Sequence, residues 1–480
     1  MQRLIEKFNN IFIMAIDPPN NLIYEIKGER RSIAMSKIPK AERNRLKRQQ
    51  AIAHSYLLAV DPGSSHHSGV LYSPTRQPLT DVLTIHNNRE GFEQLENLLK
   101  NLQAHHPDAR VVFAIEASGE YWRPLHHYFK ERGFETVFVP PLFVKRTREI
   151  DDYTPRASDP KDTICICNLA YEGRYFCDSQ HAAVFQNLYQ VVRAWDQVTQ
   201  QLARTRLRLR SLLAKYFPEY PGIFSNLLGT TSLEVLKRWP FPQDLRQVPY
   251  EVLYHALRQI SRKQLKVEKI NLLWQKAHTS VGITTGLAGA RIRLKLLLEE
   301  AEFYKQKAAI IMKQIAQILN QIHYVPKLRS IVGVGHITIA QLLAYTGDWL
   351  NFSHYNQIID LAGLDLIFHD SGHYRSKKQI SHRGRKHLRC ILFLINRNYV
   401  RYPNTGRRKY LRLRLQGKSH REAIVATIPH LVRTIFAVVH GNTYYRPPFS
   451  DDPLCQEIAQ LEKRWHERKK LKRKLRSKNK

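Results

Sequence analysis

The first half of the chain alternates short apolar runs with amphipathic segments. Two of the apolar runs end in an acid, and a Pro-Gly-Ser-Ser turn follows the first of them. The predicted elements are strands over 56–61, 69–72, 111–116 and 135–139 and helices over 91–102 and 124–132. Strands that alternate with helices predict an α/β layer architecture.

Two segments of the second half carry a seven-residue hydrophobic rhythm. Over residues 188–216 and again over 297–322, apolar side chains follow each other at alternating steps of three and four. This rhythm predicts a coiled-coil pair, within one chain or between chains, and it fits two long helices packed on a core equally well. Residues 217–290 between the segments predict a loop and shorter helices.

A glycine turn separates two stretches of helical spacing near residue 330. The turn reads Ile-Val-Gly333-Val-Gly335-His. It resembles a helix-hairpin-helix, in which backbone N–H groups of the turn face a phosphate. The same pattern also serves as an ordinary turn between helices, so DNA contact through Gly333 and Gly335 is one of two interpretations.

Charge narrows the class of partner. The chain has 76 Lys and Arg against 41 Asp and Glu, a formal net charge of +35, which favours a nucleic-acid partner over a small metabolite. A membrane surface is the main rival, but no short amphipathic segment dominates the charge. The best apolar run, 424–439, is broken by Pro429, His430 and Arg433, and no run approaches the roughly 20 residues of a membrane helix.

The cysteines and the N-terminus bear on location. The five cysteines, at 165, 167, 177, 390 and 455, form no CxxC pair, so neither disulfides nor zinc are expected. The N-terminus lacks a signal-peptide pattern. We therefore expect a cytoplasmic, nucleoid-associated protein of a bacterium or archaeon, with no membrane partner.

Four carboxylates carry the strongest chemical signal. Asp61 and Glu116 end predicted strands, and Asp159 and Asp162 stand one helical turn apart on one face of a predicted helix. Hard oxygen ligands in such positions hold two divalent ions for phosphodiester chemistry, about 3.5–4 Å apart. Each acid alone has a plain alternative as a turn former, a solvated strand end or a helix cap. Their joint occurrence in a basic protein favours the metal site.

A basic cassette around Ser371-Gly372 carries the second signal. A serine before glycine in a turn is a phosphate contact, a turn former or a nucleophile. The residues that would neutralise a DNA backbone here are Arg375, Lys377, Lys378, Arg383, Arg385, Lys386 and Arg389. Ser376 and Ser381 are alternatives to Ser371 as a reactive serine.

Several motifs together carry a family resemblance. In the first half they are Ala-Val-Asp61-Pro-Gly, Ile-Glu116-Ala-Ser-Gly-Glu-Tyr-Trp-Arg-Pro-Leu and Ser-Asp159-Pro-Lys-Asp162. In the second half they are Ile-Val-Gly333-Val-Gly335, Ala-Gly363-Leu, Asp-Ser371-Gly372 and Ile-Ser-His-Arg383-Gly384-Arg-Lys-His-Leu-Arg389. Over residues 54–445 the chain resembles the DEDD insertion-sequence transposases of the one-ten family.

The resemblance implies a fold, a chemistry and partners. It implies an α/β RuvC or RNase H-like domain, then a helical coiled-coil region, then a mainly helical C-terminal domain with a helix-hairpin-helix-like element. Asp61, Glu116, Asp159 and Asp162 would bind Mg²⁺, as two ions, and Ser371 would form a covalent link to DNA. The implied partners are donor and target DNA, a structured guide RNA (bridge RNA) from the element, and further copies in a homodimer or homotetramer.

We expect five regions and one function. The regions are a basic arm over 1–50, the RuvC-like catalytic domain over 51–180, the coiled-coil region over 181–325, the serine-bearing domain over 326–450 and a basic tail over 451–480. The basic stretch 37–48 is expected to be a solvated arm, and the end of the tail over 463–480 is expected to be flexible. The function is DNA transposition through a serine–DNA intermediate. Its rivals are a hydrolytic RuvC-like nuclease of the junction-resolvase type and a non-catalytic nucleic-acid scaffold.

Overall fold

The structure is a computed structural model that describes residues 12–17, 21–26, 29–34, 39–151, 159–177, 182–262, 264–367, 379–448 and 452–478. The chain divides into two compact units between Gln180 and His181. The first unit is mixed α/β, and the second consists mostly of helices. Both classes agree with the sequence prediction.

A six-stranded sheet forms the centre of the first unit. Its strands, in the spatial order β6-β5-β4-β7-β8-β9, are β4 (Tyr56–Asp61), β5 (His66–Tyr72), β6 (Leu83–His86), β7 (Val111–Glu116), β8 (Glu135–Val139) and β9 (Phe176–Cys177). Strands β4, β7 and β8 run parallel, whereas β5, β6 and β9 are antiparallel to their neighbours. The predicted strands 56–61, 111–116 and 135–139 are confirmed at both ends.

Helices cover both faces of this sheet. They are α1 (Lys40–Ala51), α2 (Arg89–His105), α3 (Trp122–Lys130), α4 (Pro141–Asp151) and α5 (Asp159–Tyr171). Successive strand residues point to opposite faces, so Leu57 and Ala59 share a core with α5, while Leu58 and Val60 share another with α2 and α3. Since all four side chains are fully buried, β4 is a central strand and its carboxyl end is held rigidly.

The N-terminal region differs from the solvated arm that its charge predicts. Strands β1 (Phe12–Asp17), β2 (Asn21–Ile26) and β3 (Glu29–Ala34) form an antiparallel sheet. In α1, Leu46 is only 3% exposed, and Arg45 and Arg48 donate to the carbonyls of Glu172 and Gly173 at 3.2 and 2.8 Å. The expectation for residues 40–48 is therefore wrong, because their arginines bind carbonyls at the end of α5.

Two long helices organise the second unit. They are α6 (Ala183–Tyr216) and α12 (Leu287–Leu319), and the shorter α7 (Tyr220–Ile223), α8 (Thr230–Arg238), α9 (Pro242–Arg246), α10 (Tyr250–Ile260) and α11 (Val267–His278) lie between them in sequence. The start of α6 packs with the end of α12, at Leu188 and Leu319, and the end of α6 packs with the start of α12, at Leu209 and Leu294. The pair is therefore antiparallel within the chain.

Most of the remaining elements share a core with the start of α6 and the end of α12. The elements that follow α12, up to His440, are α13 (Val325–Arg329), α14 (His336–Thr346), a 3₁₀ turn (Trp349–Asn351), α15 (Asn356–Leu361), β10 (Leu366–Ile367), β11 (Gln379–Ile380), α16 (Lys386–Tyr399), α17 (Thr405–Leu415) and α18 (His420–His440). Asn396 of α16 donates to the carbonyl of Ile424 at 2.7 Å and to Thr427 Oγ1 at 2.9 Å. This buried amide ties α16 to α18.

Helix α18 is long and apolar enough to cross a membrane by length and composition. Its buried residues, among them Ile428, Leu431 and Ile435, belong to the core that surrounds Trp349. A core helix passes the same test of length and hydropathy, so packing within the unit accounts for its composition.

The C-terminal tail is helical in its described part. Helix α19 (Pro453–Lys478) buries Ile458 and Leu461 against Leu411 of α17. Arg407 pairs with Glu462 at 2.6 Å, and two further arginines of α17 pair with Glu457. The expectation of a flexible tail over 463–480 is wrong for residues 463–471, because they continue α19 and Arg468 donates to the carbonyl of Leu415.

Candidate active site

Two of the predicted acids lie side by side at one edge of the sheet. Strands β4 and β7 are parallel neighbours with Val60 opposite Ile115, so the next residues, Asp61 and Glu116, occupy matching positions at the two carboxyl ends. Neighbouring strands are roughly 4.8 Å apart, and matching positions face the same side of a sheet. The strand pairing therefore brings these two carboxylates together.

Helix α5 adds a third acid to the pair. Asp162 is 8% exposed, and its charge, like that of Asp61, acts on Glu116. Burial and the charges of Asp61 and Asp162 raise the pKa of Glu116 to about 7, against an opposing influence of Arg148. The charges of both Asp61 and Asp162 therefore act on Glu116, so the structure places the three acids in one neighbourhood.

The fourth predicted acid begins helix α5. The helix starts at Asp159, which places Asp159 one turn before Asp162 along the backbone. The side chain of Asp159 lies outside the described residues. The choice between a metal ligand and a helix cap at this position therefore stays a prediction.

A basic residue that the sequence analysis did not single out completes the group. Arg148 of α4 donates through Nη1 to both carboxylate oxygens of Asp162, at 2.7 and 2.9 Å. Both side chains are largely buried, with 18% and 12% of their surface exposed. Nothing in the local sequence separates Arg148 from Arg146, because the contact depends on how α4 packs against α5.

The donor set fits a divalent cation in its chemistry. Asp61, Glu116 and Asp162 supply the carboxylate oxygens that Mg²⁺ prefers, and a cation would offset the burial and the repulsion that raise the pKa of Glu116. Among the residues that the structure describes, no group of three or more His, Cys, Asp or Glu side chains is placed so that it could hold a metal ion. The pairing of Asp162 with Arg148 is one physical reason, since it turns that carboxylate toward the arginine.

The predicted serine cassette is described only from residue 379 onward. Ser371, Arg375, Ser376, Lys377 and Lys378 lie outside the described residues. The alternative serine, Ser381, donates its hydroxyl to the carboxylate of Asp365. Ser381 thus has a structural partner where β10 pairs with β11.

The remaining basic residues of the cassette divide into two kinds. Arg383 and Lys386 are exposed. Arg385 donates to the carbonyl of Tyr345 at 2.6 Å, and Arg389 donates to the carbonyl of Ala362 at 2.7 Å. The last two therefore use part of their hydrogen-bonding capacity to hold the fold, in addition to any phosphate contact.

A close backbone approach holds this segment against α15. Gly363 has φ +63°, and a Cβ added there would come within 2.8 Å of the backbone nitrogen of Gly384. The N–H of Arg385 donates to the carbonyl of Leu361 at 2.8 Å, and that of His382 donates to Gly363 at 3.1 Å. Only glycine combines this φ with so short a distance between two backbones.

The predicted glycine turn lies between α13 and α14. Gly333 has φ +86° and packs on the backbone of Asn398 and Tyr399. The N–H of Gly335 donates to Thr338 Oγ1 at 2.9 Å, at the start of α14. Helices flank the turn as predicted, although α13 has only five residues.

Together, acids at the carboxyl edge of parallel strands and a chain net charge of +35 are typical of an enzyme that acts on nucleic acid. Comparison with known families makes this specific. Residues 58–218 match the DEDD transposases of IS110 elements, and residues 325–411 match the transposases of the IS116/IS110/IS902 family. The chain belongs to this family, and it is a DNA transposase or recombinase.

Individual relatives support the assignment across most of the chain. The pilin gene-inverting protein of Moraxella bovis is 30% identical over 368 residues, which are 75% of this chain and 88% of the relative. The 43.6 kDa protein of insertion element IS110 from Streptomyces coelicolor is 22% identical over 66% of this chain and 78% of its own length. The 44.8 kDa protein of IS116 from Streptomyces clavuligerus is 19% identical over 81% and 96%.

Proposed function

We propose that the protein recombines DNA with Mg²⁺ held by Asp61, Glu116, Asp159 and Asp162, as two ions, in a RuvC-like domain. The observation that carries this proposal is the alignment of Asp61 with Glu116 at the carboxyl ends of β4 and β7. The raised pKa of Glu116 supports it, because carboxylates held together against their own repulsion are suited to a cation. Bound metal would stabilise the charge that develops on the phosphoryl oxygens.

The reacting group in this proposal is Ser371. Its hydroxyl oxygen attacks the scissile phosphorus, a serine–phosphate ester forms, and the DNA strand leaves with a free hydroxyl. Attack of a second DNA hydroxyl on that ester then joins the new strand and releases the serine, so no external energy source is needed. The neighbouring cations, of which Arg383 and Lys386 are exposed, would neutralise the DNA backbone.

A guide RNA and a multimer belong to the same proposal. The family resemblance suggests a structured RNA that pairs with donor and target DNA, and the net charge of +35 is suited to several nucleic-acid strands. On α12, Leu296, Phe303 and Ile310 follow at intervals of seven and are 60%, 52% and 59% exposed. That exposed apolar row supports a coiled-coil contact between copies, in a homodimer or homotetramer.

In this proposal the metal ions and the reactive serine belong to different units of the chain. Residues 51–180 would form the metal-dependent domain and 326–450 the serine-bearing domain, and the helix pair lies between these ranges in sequence. The turn at Gly333 and Gly335 would act as a helix-hairpin-helix contact to DNA. Thr338 already accepts the N–H of Gly335, so the phosphate would bind through other N–H groups of the turn.

A covalent-trapping assay tests the proposal. Wild type, Ser371→Ala, Ser381→Ala and Asp61→Asn would be incubated with labelled donor and target duplexes, the transcript of the flanking DNA and Mg²⁺, then denatured and resolved. We expect an adduct in wild type and Ser381→Ala, and its loss in the other two variants. Asp108→Asn, an exposed acid of the same unit, is the matched control for Asp61.

The rival functions give different results in this assay. Cleavage without an adduct, unchanged in Ser371→Ala, would identify a hydrolytic nuclease. An adduct that survives in Ser371→Ala but not in Ser381→Ala would move the nucleophile to Ser381. Binding without cleavage by the wild type, together with metal affinity that Asp61→Asn leaves unchanged, would identify a scaffold.

A further inference from the structure

Arg148 places a positive charge beside the acidic residues Asp61, Glu116 and Asp162. Its Nη1 lies 2.7 and 2.9 Å from the two oxygens of Asp162, so one N–H group spans the whole carboxylate. Its charge also reaches Glu116 and favours the ionised form there. The arginine therefore partly neutralises the group that is proposed to bind metal.

The contact is unlike the surface ion pairs of the same unit. Lys145 and Glu149, also on α4, are 3.9 Å apart, and their side chains are 65% and 49% exposed. Arg148 and Asp162 are closer and largely buried, and the Nε of Arg148 is buried without a hydrogen-bond partner in the described part of the chain. Among the described residues, the guanidinium thus has Asp162 as its hydrogen-bond partner and leaves its Nε unsatisfied.

We propose that Arg148 is a positioning residue that competes with the divalent cation for Asp162, so that metal binding requires the Arg148–Asp162 ion pair to open. This inference rests on the metal site proposed above. Asp162 has one carboxylate, and an oxygen that turns to a metal ion shared with Asp61 and Glu116 turns away from Nη1. The guanidinium and the metal are like charges, and their repulsion in a partly buried site favours exchange of one for the other.

Two consequences follow from this competition. Without metal, Arg148 stabilises the folded first unit because it offsets the repulsion among three acids. To bind metal, the protein must first break the Arg148–Asp162 ion pair. Its affinity for the metal is therefore lower than the carboxylates alone would give. Arg148 then becomes available to a phosphate oxygen, which would couple metal binding to DNA binding.

Mn²⁺ titration of the purified full-length chain tests the inference, with calorimetry for affinity and thermal unfolding in EDTA for stability. The variants are Arg148→Gln, Arg148→Lys and the control Lys145→Gln on the same helix. We expect Arg148→Gln to bind Mn²⁺ about tenfold more tightly than wild type and to unfold at a lower temperature in EDTA. Lys145→Gln should match wild type in both measurements.

The opposite sign would overturn the inference. If Arg148 instead supports Asp162 as a ligand, Arg148→Gln should bind Mn²⁺ more weakly, by the 10–100-fold typical of lost outer partners of metal ligands. Should the glutamine variant not fold, Arg148→Lys decides, since a single ammonium pairs less completely and should still tighten binding; unchanged or weaker binding refutes the competition.

The metal site itself is tested separately in the same experiment. Wild-type binding that Asp61→Asn abolishes supports the proposed site whatever Arg148 does. Wild-type binding that Asp61→Asn leaves unchanged would remove the proposed function and this inference with it. The two failures are therefore distinguishable.

Discussion

Replacing Glu116 by glutamine should stabilise the metal-free protein, and more so at alkaline pH. Burial and the charges of Asp61 and Asp162 raise the pKa of Glu116 to about 7 in the folded chain, from an ordinary value of 4.5. The folded state therefore holds a proton that the unfolded state releases between these values. Stability from this carboxyl is fully present below pH 4.5 and is lost as the pH rises through 7.

The size of the effect follows from the same two pKa values. Each pH unit between them removes about 1.4 kcal/mol, so the ionised carboxylate costs about 3 kcal/mol at pH 8. Glutamine keeps the shape and carries no charge at any pH. For a unit of this size about 3 kcal/mol corresponds to a melting temperature roughly 6–12 °C higher.

Thermal unfolding in EDTA at pH 5.5 and pH 8.5 measures this difference. Glu116→Gln should exceed wild type by several degrees at pH 8.5 and by much less at pH 5.5. Glu93→Gln, an exposed glutamate of α2, is the control and should show no such dependence on pH. A Glu116→Gln variant less stable than wild type at pH 8.5, or one whose advantage does not change with pH, would refute the argument.

Three further substitutions test the packing of the second unit, each by urea unfolding against wild type. Gly363→Ala should lower the free energy of unfolding by about 3 kcal/mol, since its φ of +63° is joined by contact with Gly384. Gly417→Ala, with φ +97° and no atom within 4 Å among the described residues, should lower it by about 1 kcal/mol; equal losses would contradict the close approach. Asn396→Ala should cost about 2 kcal/mol because two buried acceptors lose their donor, and a loss within error would contradict it. Leu411→Ala should cost about 3 kcal/mol and expose α19 to trypsin; unchanged proteolysis would mean that α19 does not dock there.

The sequence predicted elements better than it predicted their pairing. A buried run that ends in an acid marks a strand end, and β4 and β7 begin and end where this pattern places them. Their parallel register is a different matter, because it depends on helices α2, α3 and α5, which pack on the two faces. The meeting of Asp61 and Glu116 could be expected from the sequence, but the match of their positions could not.

Charge was the least reliable guide to local structure. Residues 40–48 and 453–471 are dense in Lys and Arg, yet each segment is a helix docked by one or two apolar side chains, such as Leu46 and Ile458. The charged side chains on the exposed face of each helix outnumber these apolar residues, so the apolar pattern is difficult to recognise in the sequence. The role of Arg148 could not be predicted for a related reason, since it comes from a contact between helices and not from its neighbours in sequence.

The raised pKa of Glu116 helps decide between the two interpretations of that residue. A solvated strand end in a chain of net charge +35 would experience a positive surrounding, which lowers the pKa of a carboxyl. The pKa of Glu116 is shifted in the opposite direction, because burial and the charges of Asp61 and Asp162 outweigh the opposing charge of Arg148. An arrangement that costs stability in the absence of a ligand persists where function requires it. The raised pKa of Glu116 therefore agrees with its proposed role as a metal ligand and not with a solvated strand end.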